Sequence, residues 1–298
     1  MATNILNYMV KRSTLSALAF VLFIISHAQN KPPEIYLNHL YIVLDSITYN
    51  QLFEPAFISQ TFGDTNTSSH TTATDSWSGK YLFGKNSYFE FFSTKGYAGA
   101  ALNDCGLGFM TFMSKDILKI EQQWRKNSSD VIEKDTSQFV VNEKPQPWFY
   151  SIQLSRKDSL QPFSIWLMEN TPEVLKAAGF KDEETGKKIE WHDYMARRKK
   201  KEFTKSFNQI KAISLLLGKN EYEYFNKSML GFGLSKKGNV YYNDKIKIAY
   251  TIDDNSAVKL TTVETELTEA FPESSLKISE HLLVHVNGKK AIWNFSYP

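Results

Sequence analysis

The sequence predicts an α+β fold of repeated βαβββ units that form cupped mixed sheets with helices outside. Three observations carry that expectation. An order of strand, helix and then further strands returns three times along the chain. Aromatic residues make up 14% of the sequence, as suits an ordered, sheet-rich protein. Units of this kind cannot bury their faces singly, so they pack into a shared sheet.

The first unit opens with Leu37–Asp45, a run of branched and aromatic residues closed by an aspartate, which reads as a buried strand. From Ser46 to Phe62 the apolar residues Tyr49, Leu52, Phe53, Phe57 and Ile58 recur at helical spacing, and Pro55 must kink or break that helix. Gly63–Ser69 reads as a turn-rich loop. Gly79–Phe83 and Ser87–Phe92 read as two strands joined by the hairpin turn Gly84-Lys-Asn86.

In the second unit, Gly108–Met113 is strand-like. Lys115–Lys126 is an amphipathic helix with Ile117, Leu118, Ile120 and Trp124 inward and Ser114 as its N-cap. Strands follow at Phe139–Val141, Trp148–Leu154 and Phe163–Met168. The third unit has a strand at Ile210–Leu217 and a short helix at Glu221–Leu230 ending in Gly231. A hairpin from Val240–Tyr242 to Ile246–Ile252 turns across Asn243-Asp244. A final pair, His281–Val286 and Ala291–Phe295, is expected to turn tightly through Asn287-Gly288 with Trp293 and Phe295 facing the core. Between the second and third units, Glu173–Phe207 carries the basic run Arg197-Arg-Lys-Lys-Lys201 flanked by Glu190, Asp193 and Glu202. Mixed charge of this kind reads first as a solvated face of a helix or insertion, and second as an anion-binding patch.

The N-terminus places Lys11 and Arg12 before an apolar run, Leu15–Ile25, and then Ser26-His27-Ala28, the pattern of a cleaved secretory signal peptide. The run is too short for a membrane span, which needs about 20 residues. The chain therefore divides into a signal peptide at 1–28, a linker at 29–36, N-terminal units at 37–172, a charged insertion or linker at 173–207 and a C-terminal unit at 208–298. An exported protein, periplasmic or extracellular, that starts near Gln29 is expected, with no stable membrane span after cleavage. Cleavage removes two positive charges and no acid, taking the formal net charge from +3 to +1. That balance gives no reason to expect nucleic acid as a partner. Cys105 is the only cysteine, which rules out an intramolecular disulfide and a cysteine-based metal cluster. It lacks a nearby basic cluster, which argues against a nucleophilic role.

Asn38-His39-Leu-Tyr-Ile-Val-Leu-Asp45 resembles the first strand of vicinal oxygen chelate (glyoxalase-like) proteins, and the segment from Trp77 to Phe92 looks like that superfamily's closing hairpin, including its Tyr-x-Glu element at Glu90. The specific match covers residues 37–92, and the closest look-alikes are divergent glyoxalase-like domains of unknown function. The resemblance implies one divalent metal ion held by His39 and Glu90 from neighbouring strands, with positions left open for substrate. The sequence departs from the pattern in the partner half-site. Ala212 and Gly108 fall opposite His39 in the other units, and Lys247 or Ala249 falls opposite Glu90.

His70, Asp75, Trp77, Glu169, His281 and His285 are further candidates for the pocket wall or for replacement ligands. His39 and Glu90 are expected on one sheet with their side chains on the same concave face. A shared metal would bring their polar atoms to about 3–4 Å, and a direct hydrogen bond to about 2.7–3.0 Å. Three functions compete for this cup: a binder of a small-molecule ligand without catalysis, a divalent-metal-dependent lyase, isomerase or dioxygenase, and a cell-envelope interaction protein with a vestigial cup. The weakened second half-site places the binder first. No phosphate loop, HExxH, Gly-x-Ser-x-Gly or cysteine-pair motif is present.

Overall fold

The computed structural model describes residues 33–71, 76–96, 99–141, 144–156, 162–199, 203–254 and 258–296. The segment read as a signal peptide and Asp75 lie outside them, as does the side chain of His70. Among the described residues no helix is long and apolar enough to cross a membrane.

The fold is mixed α/β with two mixed sheets. The first strand, β1 (Ile35–Leu44), begins inside the stretch read as a linker, because Ile35 and Tyr36 are buried and extend the strand. Asp45 then caps α1 (Ser46–Gln51), accepting hydrogen bonds from the Ile47 and Thr48 amides at 2.9 Å. Pro55 separates α1 from a π-helical turn at Phe57–Phe62, as the proline predicts. The strands β2 (Asp64–Thr71), β3 (Ser76–Phe83) and β4 (Tyr88–Ser93) follow. Then come β5 (Cys105–Thr111), α2 (Asp116–Asn127), β6 (Ile132–Val141), β7 (Lys144–Leu154) and β8 (Phe163–Asn170). These eight strands form one sheet in the order β2-β3-β4-β1-β5-β8-β7-β6. Within it β1 runs parallel to β4 and antiparallel to β5, and β5 runs parallel to β8.

Three short helices come next: α3 (Pro172–Ala177), α4 (Asp182–Thr185) and α5 (Trp191–Lys199). The six-stranded sheet contains β9 (Phe207–Leu217), β10 (Ser235–Lys237), β11 (Val240–Tyr242), β12 (Lys247–Ile252), β13 (Lys259–Lys277) and β14 (Leu282–Phe295), in the order β10-β11-β12-β9-β13-β14. The helix α6 (Lys219–Gly231) connects β9 to β10, and β9 runs parallel to β12.

One hydrophobic cluster joins the two sheets. Leu40, Ile42, Phe89, Phe91, Leu107 and Ile165 from the first meet Phe207, Ile213, Val263 and Trp293 from the second. The β3–β4 turn is tied to the start of β9 by backbone bonds, Lys85 N to Phe207 O at 3.0 Å and Asn86 N to Asn208 O at 2.7 Å. Strand alternation then sends every second residue of β1, β4, β5 and β8 to the opposite face, where His39, Tyr88, Glu90 and Trp166 lie.

Several expectations are corrected. Gly63–Ser69 is mostly strand rather than loop: β2 pairs antiparallel with β3 from Asp64↔Phe83 to Thr71↔Ser76. An edge strand is held by backbone bonds along one side only, so its polar composition hid it. Asn287-Gly288 is not a hairpin turn but part of the continuous β14, with Gly288 at φ 58° opposite Phe271 at an irregularity in the register. The hairpin lies one step earlier, between β13 and β14, where Ile278 donates to Leu282 O at 2.9 Å. Trp293 and Phe295 are buried as expected.

Ser114 does not cap α2. The Glu169 carboxylate does so from β8, accepting from Lys115 N at 2.6 Å, Ile117 N at 2.9 Å and Thr111 Oγ1 at 3.1 Å. Glu169 therefore leaves the list of cup residues. It shares strand parity with Ile165 and Leu167, on the core face, and not with Trp166. Replacing it with alanine strands buried amide donors, so Glu169→Ala is expected to lower stability by about 2–3 kcal/mol, read as a lower urea midpoint, with Glu169→Gln losing less.

The charged insertion combines the solvated face read from its sequence with a buried one. It does carry solvated groups, such as Arg197 paired with Glu184 at 2.7 and 3.0 Å. Its other face is apolar, however. Trp191, Tyr194 and Met195 are buried at helical i, i+3, i+4 spacing and cluster with Tyr36, Tyr81, Phe83, Met110 and Phe112 of the eight-stranded sheet. These helices roof the concave face instead of lying outside it.

Candidate functional site: an aromatic cup

The register of β1 against β4 pairs His39 with Tyr88 and Tyr41 with Glu90. His39 and Glu90 thus share a sheet and a face, as diagonal neighbours rather than direct partners. Among the described residues they form neither a hydrogen bond nor an ion pair within 4.0 Å, and no group of three or more His, Cys, Asp or Glu side chains is placed to hold a metal ion.

Each side chain is set by its surroundings. A β-bulge at Asn38, between the Leu37↔Phe109 and His39↔Gly108 pairs, shifts the phase of β1. The Asn38 Oδ1 then lies 3.0 Å from His39 Nδ1. The imidazole stacks on Tyr88 at 4.8 Å and meets the edge of Trp166 at 5.2 Å. Burial pushes its pKa down to about 3, so the ring is neutral at ordinary pH. Gly108 makes this possible: a Cβ there would stand 2.5 Å from His39 Cε1 and 2.9 Å from both ring nitrogens. Gly108→Ala is expected to lower stability by about 1–3 kcal/mol, and most of that loss should vanish when His39 is also alanine. A double-mutant cycle in urea checks this, since additive losses would show that the imidazole is not the clashing group.

Glu90 is half-buried among rings. Desolvation raises its pKa to about 7, against the lowering effect of its hydrogen bond with Tyr88. Two adjoining chambers open onto it, of about 170 and about 190 Å³, and both are walled by Trp77, Tyr88, Glu90, Trp148 and Trp191. The first extends to Asn66, Ser68, Met195 and Arg198, and the second to Asn38, His39, Trp166, Met168 and Tyr194. Trp191 stacks on Tyr88 at 5.0 Å. Arg198 forms no ion pair with the carboxylate within 4.0 Å; it donates to the Tyr194 hydroxyl at 2.8 Å and lies 5.0 Å over the Trp148 ring. Two residues that line the second chamber carry fully buried donors, Asn38 Nδ2 and Trp191 Nε1, that make no hydrogen bond of good geometry with the protein, although the Asn38 amide lies near the Tyr36 hydroxyl.

A groove beside α2 is larger, about 680 Å³, and is lined by Leu118, Glu121, Lys134, Tyr150 and Glu169 among others. Two of its three acids are already engaged, Glu169 as a cap and Glu121 with Arg125 and Lys134, and neither Asn38 nor Trp191 lines it. The cup is therefore the better candidate.

Of the sequence candidates, His39, Glu90 and Trp77 come together here. His281 and His285 do not. His281 precedes β14 and lies near Asp45, while His285 pairs with Ser275 at 2.9 Å and with Glu273 at 3.5 Å on the six-stranded sheet. Cys105 is buried on the core face, where burial raises its thiol pKa and leaves it unreactive. Sequence reasoning missed Asn38, Tyr88, Trp148, Trp166 and Trp191. The available signal was parity with His39 and Glu90 on paired strands, and the Trp191-Tyr194-Met195 stripe within a charged background.

Fold and site together define a two-sheet α/β protein with an aromatic cup around an imidazole and a carboxyl. The chain belongs to DUF5829, a family of unknown function whose pattern matches residues 37–295. No curated protein matches it.

Proposed function

We propose that this is an exported glyoxalase-like protein that binds a compact small molecule in the aromatic cup, with binding rather than catalysis as its role. The observation that carries the reading is the cup's composition: four of the six tryptophans surround it together with Tyr88, and they enclose Glu90 and the His39 imidazole. Apolar walls with a few convergent polar groups are the usual make-up of a ligand site. Each chamber is close to the roughly 150 Å³ that accommodates a benzene-sized group. The glyoxalase-like assignment is supported by strand order. β2-β3-β4-β1, β6-β7-β8-β5 and β10-β11-β12-β9 each place the opening strand parallel to the closing one, with a helix after the opening strand, as repeated βαβββ units of a vicinal oxygen chelate fold would.

A metal-dependent lyase, isomerase or dioxygenase is the second reading. It is favoured by the Asn38–His39 contact, which orients the ring and leaves Nε2 without a hydrogen bond, as a metal-ligating histidine requires. The donor set stops at two, however, where a catalytic metal site uses three protein ligands. The residues present do not complete that group.

Thermal-shift and tryptophan-fluorescence screening of the purified protein against a panel of small aromatic, cationic, anionic and sugar ligands tests the reading. Hits are expected to raise the melting temperature and perturb fluorescence, and both responses should weaken in Trp148→Ala. Hits unaffected by that change, or a panel without hits, would count against it.

A further inference from the structure

The walls of the cup are electron-rich aromatic faces and its one acidic group has no basic partner. Among the described residues Glu90 pairs with no lysine, arginine or charged histidine, and its hydrogen-bond partner is the Tyr88 hydroxyl. Arg198, the one lysine or arginine of the lining, donates to Tyr194 and lies over Trp148. The Tyr88 ring is covered by His39 and Trp191, but a carboxylate set among Trp77, Trp148 and Trp191 is an arrangement by which proteins hold ammonium groups, since an open ring face attracts positive charge and the acid supplies the counter-ion. The chain sets one of its own cations among aromatic rings elsewhere, there without a carboxylate. Lys236 lies over Tyr222, Tyr241 and Tyr250 at 5.1–5.7 Å and donates to Tyr222 Oη at 3.0 Å and Asn226 Oδ1 at 3.1 Å.

We infer that the cup, read as a small-molecule site, selects a compact organic cation, an ammonium compound. The ammonium sits against Glu90 between the tryptophan faces.

Calorimetry with two probe pairs tests this: choline against its neutral carbon isostere 3,3-dimethylbutan-1-ol, and benzyltrimethylammonium against neopentylbenzene. The cations are expected to bind at least tenfold more tightly than their isosteres, choline is expected to displace benzyltrimethylammonium, and Glu90→Gln should remove most of the difference. Glutamine is nearly isosteric, and near-UV circular dichroism of that variant checks that the cup is intact. Equal binding of the neutral isosteres, or an unchanged preference in Glu90→Gln, overturns the cation assignment while leaving the cup as a ligand site. Failure of both cations to bind while the broader panel yields cup ligands also overturns it alone. Failure of every compound overturns the ligand-site reading itself.

Discussion

Trp293→Ala is expected to destabilise the protein by about 3–5 kcal/mol, lowering the melting temperature by roughly 10 °C. Trp293 is fully buried on the last strand of the six-stranded sheet, and its ring reaches across the interface to Phe62 at 5.3 Å, Phe89 at 5.1 Å and Phe91 at 6.2 Å. Phe89 and Phe91 belong to β4, whose opposite face carries Tyr88 and Glu90. The tryptophan thus joins the two sheets and backs the strand that forms the cup. Its removal leaves a large cavity bounded by rigid rings that collapse poorly. Trp293→Phe should lose less than half as much. Urea unfolding checks both, and a loss below about 1 kcal/mol for the alanine variant would mean that the sheets do not depend on this contact.

Glu90→Gln is expected to stabilise the protein at alkaline pH, and the sign follows from linkage. The carboxyl titrates at about 7 in the folded state against an ordinary value of 4.5, so the folded state holds its proton more tightly than the unfolded one. Wild-type stability therefore falls as pH rises from about 4.5 to about 7, and the penalty is complete above pH 7. The shift corresponds to a few kcal/mol, on the order of 3. The variant lacks that penalty and should exceed wild type by this order at pH 8 while matching it near pH 4. His39 acts in the opposite sense. Its folded pKa, about 3, lies below its ordinary 6.5, so stability present above pH 6.5 is lost as pH falls towards 3. Chemical denaturation across pH 4–8 separates the two limbs. A Glu90→Gln variant less stable than wild type at pH 8 would show that the carboxylate is compensated in the folded protein.

The order of elements was legible because apolar periodicity is a local property. The Pro55 break, the Gly84–Asn86 and Asn243-Asp244 hairpins and the burial of Trp293 could all be read from neighbours in the chain. What was hidden depends on pairing across the chain. β2 and β13 are polar or alternating segments that become strands because a neighbour supplies backbone partners. Glu169 resembled a pocket acid until the distance from β8 to the start of α2 made it a cap. At the site, His39, Trp77 and Glu90 could be read from the first unit. Trp148 and Trp166 come from the second unit and Trp191 from the insertion, where charge dominates the local composition and masks the buried stripe.

A crystallographic fragment screen of the purified protein tests the central claim most directly. Bound fragments are expected among Trp77, Tyr88, Trp148 and Trp191, with a polar atom within about 3.5 Å of the Glu90 carboxyl. Fragments confined to the groove beside α2, between Leu118 and Tyr150, with none in the aromatic cup, would contradict it.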